Sequence, residues 1–396
     1  MTTLRDAVGT DGLFTDGDWI LSENMSPAGT IGVIQLKHVG VGEFVKKDFH
    51  FITDETFTAL KCTEVLPGDI LVSRMADPIA RACILPRLPF RAVTAVDVSI
   101  LRPDPKVSNS RYIAHICNSP IVQRQAIAAT RGTTRPRITR AELEEIKIPL
   151  PGLQEQTCIV ERLDRGDHLR RTRRYALNLC DEFVPSAFLE MFGDFRASVH
   201  KLEIVELESV SEIVSGVTKG QRHNGRETVT VPYLRVANVQ DGYLDLSEIK
   251  TITATIAEAR DLVLRTGDIL MTEGGDFDKL GRGAIWLGEI DNCIHQNHVF
   301  RVRLDQKRVL PVYFSSFLHS PYAKAHFLKC AKQTTNLASI NMTQLRATPV
   351  PLPSPRDQAH FASVAAACAT LRRNHVESLR QAEHLFQTLL HQAFNH

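Results

Sequence analysis

A chain of 396 residues with 43% hydrophobic and 23% charged residues has an ordinary globular composition and room for two or more domains. Its 47 Lys and Arg are balanced by 45 Asp and Glu, for a formal charge of +2. That near-balance argues against a compact, non-specific nucleic-acid binder and leaves room for a protein that reads base edges with mixed polar groups. The eight cysteines form no Cys-x-x-Cys pair, so reduced, mostly buried thiols are expected rather than a zinc site. Met1 to Asp11 lacks the apolar core of a signal peptide, and no run approaches about 18 apolar residues, so a soluble cytoplasmic protein is expected.

The chain is written twice. Ile34-Gln-Leu-Lys-His-Val-Gly-Val-Gly-Glu-Phe44 is answered by Leu234-Arg-Val-Ala-Asn-Val-Gln-Asp-Gly-Tyr-Leu244, an offset of 200. Gly68-Asp-Ile-Leu71 returns as Gly267-Asp-Ile-Leu270 at 199, and Ser119-Pro120 as Ser320-Pro321 at 201. Thr133-Thr134 returns as Thr334-Thr335 at 201, and Pro149-Leu-Pro151 as Pro351-Leu-Pro353 at 202. Short matches in one order at a nearly constant offset indicate a duplication with small loop insertions. A period this long predicts two related domains rather than a solenoid array.

Each copy predicts the same elements in the same order. A strand-rich part with Gly/Asp turns comes first, at 29–45 and 231–246. The Gly-Asp-Ile-Leu segment follows a turn and opens a buried strand. A helix is predicted over Ser110–Ala129 and over Val312–Cys330. A polar loop follows, and Pro-Leu-Pro ends the globular part.

A long helix is predicted after each Pro-Leu-Pro. In copy two, Ser354 suits the N-cap, Pro355 the first turn and Asp357 the third position. In copy one Gly152 is a poorer cap, with Glu155 suiting the helix dipole. The second helix carries a coiled-coil-like seam, with Phe361, Val364, Leu371, Leu379, Phe386 and Leu389 as its expected packing residues. The first helix has Ile159, Leu163, Leu169, Leu179 and Phe183, is interrupted at Gly166 and Asp167, and should kink or end at Pro185. A helix over 154–184 would be about 45 Å long, more than the roughly 34 Å of one DNA turn. Two such helices packed antiparallel could hold two DNA-reading domains apart. The same pattern also suits a helical hairpin that only dimerises or packs on a core.

Catalytic signatures are missing: there is no Gly-x-x-x-x-Gly-Lys-Ser/Thr loop, Gly-x-Gly-x-x-Gly fingerprint, Gly-x-Ser-x-Gly elbow, His-Glu-x-x-His helix or Asn/Asp-Pro-Pro-Tyr/Phe run. The nearest acidic cluster, Glu273, Asp276 and Asp278, could bind a metal, form a solvated loop beside Lys279 and Arg282, or accept from a cytosine amino group. His295 and His298 are expected on a strand, pointing to opposite faces and so not sharing a metal. Between them, Gln296 and Asn297 are side-chain types that pair with adenine. No catalytic or metal-binding residue is assigned.

The polar loops before Pro-Leu-Pro join cations to short hydroxyl side chains, which suits phosphate contact beside base reading. In copy one the candidates are Arg131, Thr133, Thr134 and Arg135. In copy two they are Lys329, Lys332, Gln333, Thr334, Thr335 and Asn336. Arg74 and Arg81 follow the first Gly-Asp-Ile-Leu strand, where copy two is acidic. One scaffold with different side chains at one site suggests two different targets. Lys37 and His38 in copy one, and Lys219, Gln221, Arg235, Asn238, Glu273, Asp276, Lys279, Arg282, His295, Gln296 and Asn297 in copy two, complete the DNA-contact candidates. The run Arg170-Arg171-Thr-Arg173-Arg174 reads as a solvated helix face, with phosphate or partner contact as its alternative.

Several segments carry a resemblance to the specificity subunits of type I restriction–modification systems. They are Asp16-Gly-Asp-Trp-Ile20, Cys62-Thr-Glu-Val-Leu-Pro-Gly-Asp-Ile-Leu71, Ala76-Asp-Pro-Ile-Ala-Arg-Ala-Cys83, Pro149-Leu-Pro-Gly-Leu-Gln-Glu-Gln156, Phe188-Leu-Glu-Met-Phe-Gly-Asp194 and His295-Gln-Asn-His-Val-Phe-Arg-Val302, with the C-terminal Leu389-Leu-His-Gln-Ala-Phe394. The resemblance covers nearly the whole chain and implies an α+β protein with a pseudo-twofold internal repeat. Its parts would be a target-recognition domain at 1–150, a spacer helix region at 151–195, a second target-recognition domain at 196–352 and a second spacer helix at 353–396. The long helices would pair antiparallel. Each domain would bind one half of a bipartite site in double-stranded DNA. The chain would be non-catalytic and would dock two methyltransferase subunits, with restriction subunits joining. S-adenosylmethionine, ATP and magnesium would belong to those partners. A specificity subunit of another methylation-based defence system and a helical adaptor that reads no DNA remain the alternatives.

Overall fold

A computed structural model describes residues 1–75, 77–132, 135–193, 195, 202–222, 225–275, 280–333 and 338–394. Its contacts form two compact units, Met1–Tyr175 with Val376–His396, and Ala176–His375. The duplicated sequence is a duplicated topology. In the first unit the strands Leu13–Thr15, Val98–Arg102, Ile70–Ser73 and Ala82–Ile84 lie side by side, all antiparallel. The second unit repeats that order with Ser211–Ser215, Val299–Leu304, Ile269–Thr272 and Gly283–Ile285. A second sheet in each unit contains one parallel pair, Ile31–Ile34 with Ala92–Thr94, and Thr228–Leu234 with Ile294–His295.

The central strand is the Gly-Asp-Ile-Leu motif, and it is apolar without interruption because both its faces are covered. Ile70 and Val72 pack toward the helices with Tyr112, Ile113 and Ile116, while Leu71 packs on the other face with Val98 and Ile100. In the second unit Ile269 and Met271 face Tyr313, Phe314 and Phe317, and Leu270 faces Trp286 and Val299.

The polar half of the motif makes the turn. Gly68 and Gly267 sit at φ +97° and +95°, backbone that a side chain would strain. Asp69 accepts from the Leu66 N–H at 2.8 Å, and Asp268 from the Arg265 N–H at 2.7 Å. Both carboxylates then take a guanidinium from the neighbouring strand, Arg102 on Asp69 at 2.7 Å and Arg303 on Asp268 at 2.8 Å.

The helix predicted over Ser110–Ala129 is two helices, Ser110–Cys117 and Pro120–Ala129, and its counterpart is Pro311–Leu318 and Pro321–Cys330. The repeated Ser-Pro is the break. Proline has no N–H to continue the first helix and is well placed to begin the second.

The long helices are Leu153–Phe192 and Pro355–Phe394. Ser354 is the expected N-cap, its hydroxyl accepting from the Asp357 N–H at 3.2 Å. Each helix start is fixed by a buried glutamine. Gln156 accepts from the Asn109 N–H at 2.8 Å and donates to Pro151 O at 2.9 Å. Gln358 accepts from the Leu310 N–H at 2.9 Å and donates to Pro353 O at 3.0 Å. Tyr112 and Tyr313 donate to Pro149 O and Pro351 O at 2.8 and 2.7 Å. The Pro-Leu-Pro segments are thus tied to the helices before them.

Within each unit the helix segments run antiparallel. In the first, Arg174 meets Glu383 at 2.5 Å, and the Arg170 guanidinium lies 4.1 Å from the Phe386 ring centre. In the second, Arg372 meets Asp181 at 2.5 Å, and Phe188 and Phe192 pack on Phe361. Ile159, Leu163, Phe361 and Phe386 are buried as expected, and Val364, Leu379 and Leu389 are half-buried. Leu169, Leu179, Phe183 and Leu371 are exposed, contrary to expectation. The covered stripe runs through Ala176, Cys180, Val184, Phe188 and Phe192, one residue beyond the expected Leu179 and Phe183. One residue turns a helix by about 100°, which carries those two side chains off the seam.

Nor does the first helix end at Pro185; it continues to Phe192. Phe188 and Phe192, buried against Tyr313 and Phe361, offset the lost hydrogen bond. Gly166 is not an interruption but a point of close approach. A Cβ there would stand 3.2 Å from Leu389 Cδ1 and 3.3 Å from Phe386 Cδ2. Gly166→Val should therefore overpack this contact and cost about 1–3 kcal/mol, read as a lower denaturation midpoint. A midpoint at or above wild type would show that the helices do not meet there.

Candidate nucleic-acid interface

In the second unit the strand Ile269–Thr272 ends beside Glu273, whose backbone is held at both ends. Its N–H donates to His298 O at 3.1 Å, and its carbonyl accepts from the Ile340 N–H at 2.7 Å. Gly274–Gly275 then pairs with Ala338–Ser339, which pairs with Lys332–Gln333. This ribbon joins the glycine-rich loop to the polar loop before Pro-Leu-Pro, two candidate segments the sequence could only treat separately. Residues 297 and 298 form a turn rather than the expected strand, because Ile294–His295 ends before it. His295 points inward, fully buried, and its Nδ1 lies 2.7 Å from Val299 O. Burial lowers its pKa to about 4, so it stays neutral. His298 turns outward, and its Nδ1 stands 2.6 Å from Glu273 Oε2. Gln296 and Asn297 are half-buried, with backbone N–H groups bonded to Leu234 O and Val217 O. Lys219 and Gln221 follow Val217 and are exposed.

The corresponding place in the first unit has the same backbone and other charges. The Ile138 N–H donates to Arg74 O at 3.0 Å, as Ile340 does to Glu273. Arg131 and Met75 both bridge to Arg137. Arg74 is 4% exposed, pairs with Asp16 at 3.2 Å and donates to Val96 O. Burial lowers its pKa, and Asp16 opposes that shift. Arg137 pairs with Asp97 at 2.9 Å. Arg131 meets Glu142 at 2.9 Å with its side chain 83% exposed, and Arg135 is exposed.

Several candidates serve the fold instead. His38 and Asn238 hold equivalent places and do one job: His38 Nδ1 accepts from the Gln35 N–H, and Asn238 Oδ1 from the Arg235 N–H, each at 2.9 Å. Both are buried. Arg81 donates to Val39 O at 2.7 Å and Leu36 O at 3.1 Å, tying down the same turn. Arg235 pairs with Glu248 at 3.0 Å, and Arg282 donates to Gln240 at 3.2 Å. Lys37 is exposed on this turn and Lys329 on its helix. Thr133, Thr134, Asp276, Asp278, Lys279, Thr334, Thr335 and Asn336 lie outside the described residues. Arg171, from the basic run, donates to Gly42 O at 2.6 Å and pairs with Asp167, so part of that run is structural. Reading the sequence missed Asp16, Asp97 and Arg137 and gave His298 no DNA role. The repeat offset was the available signal, since Asp97 and His298 are 201 apart.

Among the described residues no three His, Cys, Asp or Glu side chains are placed to share a metal ion, and no helix is long and apolar enough to cross a membrane. The eight cysteines are free thiols.

The two units share one strand-rich fold and carry different polar side chains at one backbone site. Residues 17–178 match the family model of the type I restriction modification DNA specificity domain. The chain is 24% identical over 91% of its length to the type I restriction enzyme EcoKI specificity subunit of Escherichia coli, covering 81% of that protein. It is 22% identical, with the same coverage, to the StySPI specificity subunit of Salmonella potsdam. The fold is shared with a type I restriction–modification S subunit from M. genitalium, at 14% identity, TM-score 0.55, and 97% and 93% of the two chains. It is shared too with a chain solved to explain complex assembly and conformational transition of the type I system, at 18% identity, TM-score 0.56, and 96% and 97% coverage. Residues 17–178 thus carry a type I specificity domain, and most of the chain is similar to type I specificity subunits.

Proposed function

We infer that each unit reads one half of a split double-stranded DNA target, and that the chain positions partner subunits rather than catalysing. The observation that carries this reading is the contrast at one shared backbone site: a buried Arg74 paired with Asp16 beside a part-exposed Arg137–Asp97 pair in one unit, and the exposed Glu273–His298 pair in the other. A duplicated scaffold that kept one target would have no reason to change the exposed polar groups there. Sequence readout depends on such donor and acceptor differences at base edges, while phosphate contacts only position the protein. The recognition domains would be 1–150 and 196–352, with 151–195 and 353–396 as spacer helices. Two methyltransferase subunits and the restriction subunits are the expected partners, bringing S-adenosylmethionine, ATP and magnesium.

Replacing residues 1–150 with those of another family member should change one half of the methylated motif and leave the other half intact. Sequencing methylated bases in a host carrying the complete system reads this directly. A change in both halves would sink independent reading, and no split motif in the wild type would sink the function itself.

A further inference from the structure

The dyad Glu273–His298 is an open polar pair at this site. The two side chains are 36% and 56% exposed, against 5% for Arg74 in the first unit. Their mutual bond decides what they show to a ligand. A carboxylate only accepts, so His298 must donate its Nδ1 hydrogen to Glu273 Oε2 across the 2.6 Å contact. In the neutral ring the other nitrogen, Nε2, then carries a lone pair. With the ring neutral, Glu273 and His298, brought together from neighbouring chain segments, are both hydrogen-bond acceptors toward a ligand. The backbone bonds from Glu273 to His298 O and from Ile340 to Glu273 O fix where that pair sits.

We propose that Glu273 and His298 are specificity-determining residues that recognise an exocyclic amino group in the major groove, that of cytosine in preference to adenine. The proposal rests on the DNA-reading function inferred above and assigns its chemistry in the second unit. In the major groove cytosine offers its N4 amino donor, whereas guanine offers two acceptors and thymine an acceptor and a methyl group. Two acceptors facing guanine or thymine leave every partner unpaired and repel phosphate as well. Adenine offers an N6 donor but places its N7 acceptor beside it, so it fits less well than cytosine. The first unit has no such pair at this backbone position, because Arg74 is consumed by Asp16 and Val96 O.

The test uses the full chain assembled with its methyltransferase subunits and a pool of randomised duplex DNA. Wild type should select a split motif with a cytosine in the half lost when the second recognition domain is exchanged. Glu273→Gln and His298→Ala should each relax choice at that one position about 10- to 100-fold, the worth of a good base contact, and leave the other half unchanged. Both side chains are partly exposed, so both variants should assemble. Replacing the selected cytosine by its amino-less analogue should weaken wild type by a similar factor and Glu273→Gln much less. Absence of any split motif would overturn the DNA-reading function. A split motif unaltered by both variants, altered in both halves, or relaxed only at an A·T pair would overturn this assignment alone.

Discussion

Phe361→Ala should cost the second unit about 3–5 kcal/mol, the usual range for emptying a large aromatic site in a tight core. Phe361 is fully buried. Its ring meets Phe188 at 5.4 Å and Phe192 at 5.6 Å between centroids, both edge-on. Tyr313 packs on those two phenylalanines from the other side, at 5.7 and 5.1 Å. The cluster therefore joins both long helices to the helix Pro311–Leu318, and the void left by alanine touches all three. Denaturant titration followed by a probe in residues 176–375 should show the lower midpoint. A loss below about 1 kcal/mol would mean that the aromatic cluster is not packed as described, because a rigid cavity of that size cannot be so mild.

The second large effect concerns assembly. Leu179 is 47% exposed and Phe183 52% exposed, four residues apart on one side of the first long helix. Apolar side chains at that spacing share a face, and an exposed pair of this size suits a partner anchor. Changing both to glutamate should weaken binding of the methyltransferase subunit by about 1000-fold, since two anchors of about 2 kcal/mol each are lost. Thermal stability of the chain alone should hardly change, because neither side chain lies in its core. Co-purification and titration calorimetry would read the first effect, and a melting curve the second. Wild-type affinity in the double variant would place the docking face elsewhere.

The first experiment empties the aromatic cluster on which the inward face of the first long helix packs, the second alters that helix's outward face, and the letters of the sequence do not divide those faces. Phe183 and Phe188 are equally apolar as letters. Only the phase of the helix against its neighbour puts Phe188 among aromatic rings and Phe183 in solvent. The Gly166 position shows the same limit. A glycine in a helix lowers helix propensity whatever its surroundings, and nothing local says that Leu389 and Phe386 will come within reach of it. In the recognition units, Glu273 and His298 stand 25 residues apart and Arg74 and Asp16 stand 58 apart. Sheet pairing, not chain proximity, makes them partners.

The duplication, the order of elements in each copy, the Ser354 cap and the buried Ile-Leu strand were determined by the sequence itself, because local periodicity, turn chemistry and repeated strings act over short stretches of chain. The strand pairing, the covered face of each helix and the identity of the exposed dyad were decided by tertiary structure. Those outcomes depend on which distant groups compete for the same buried space and the same hydrogen bonds, and that competition is settled only once the chain has closed on itself.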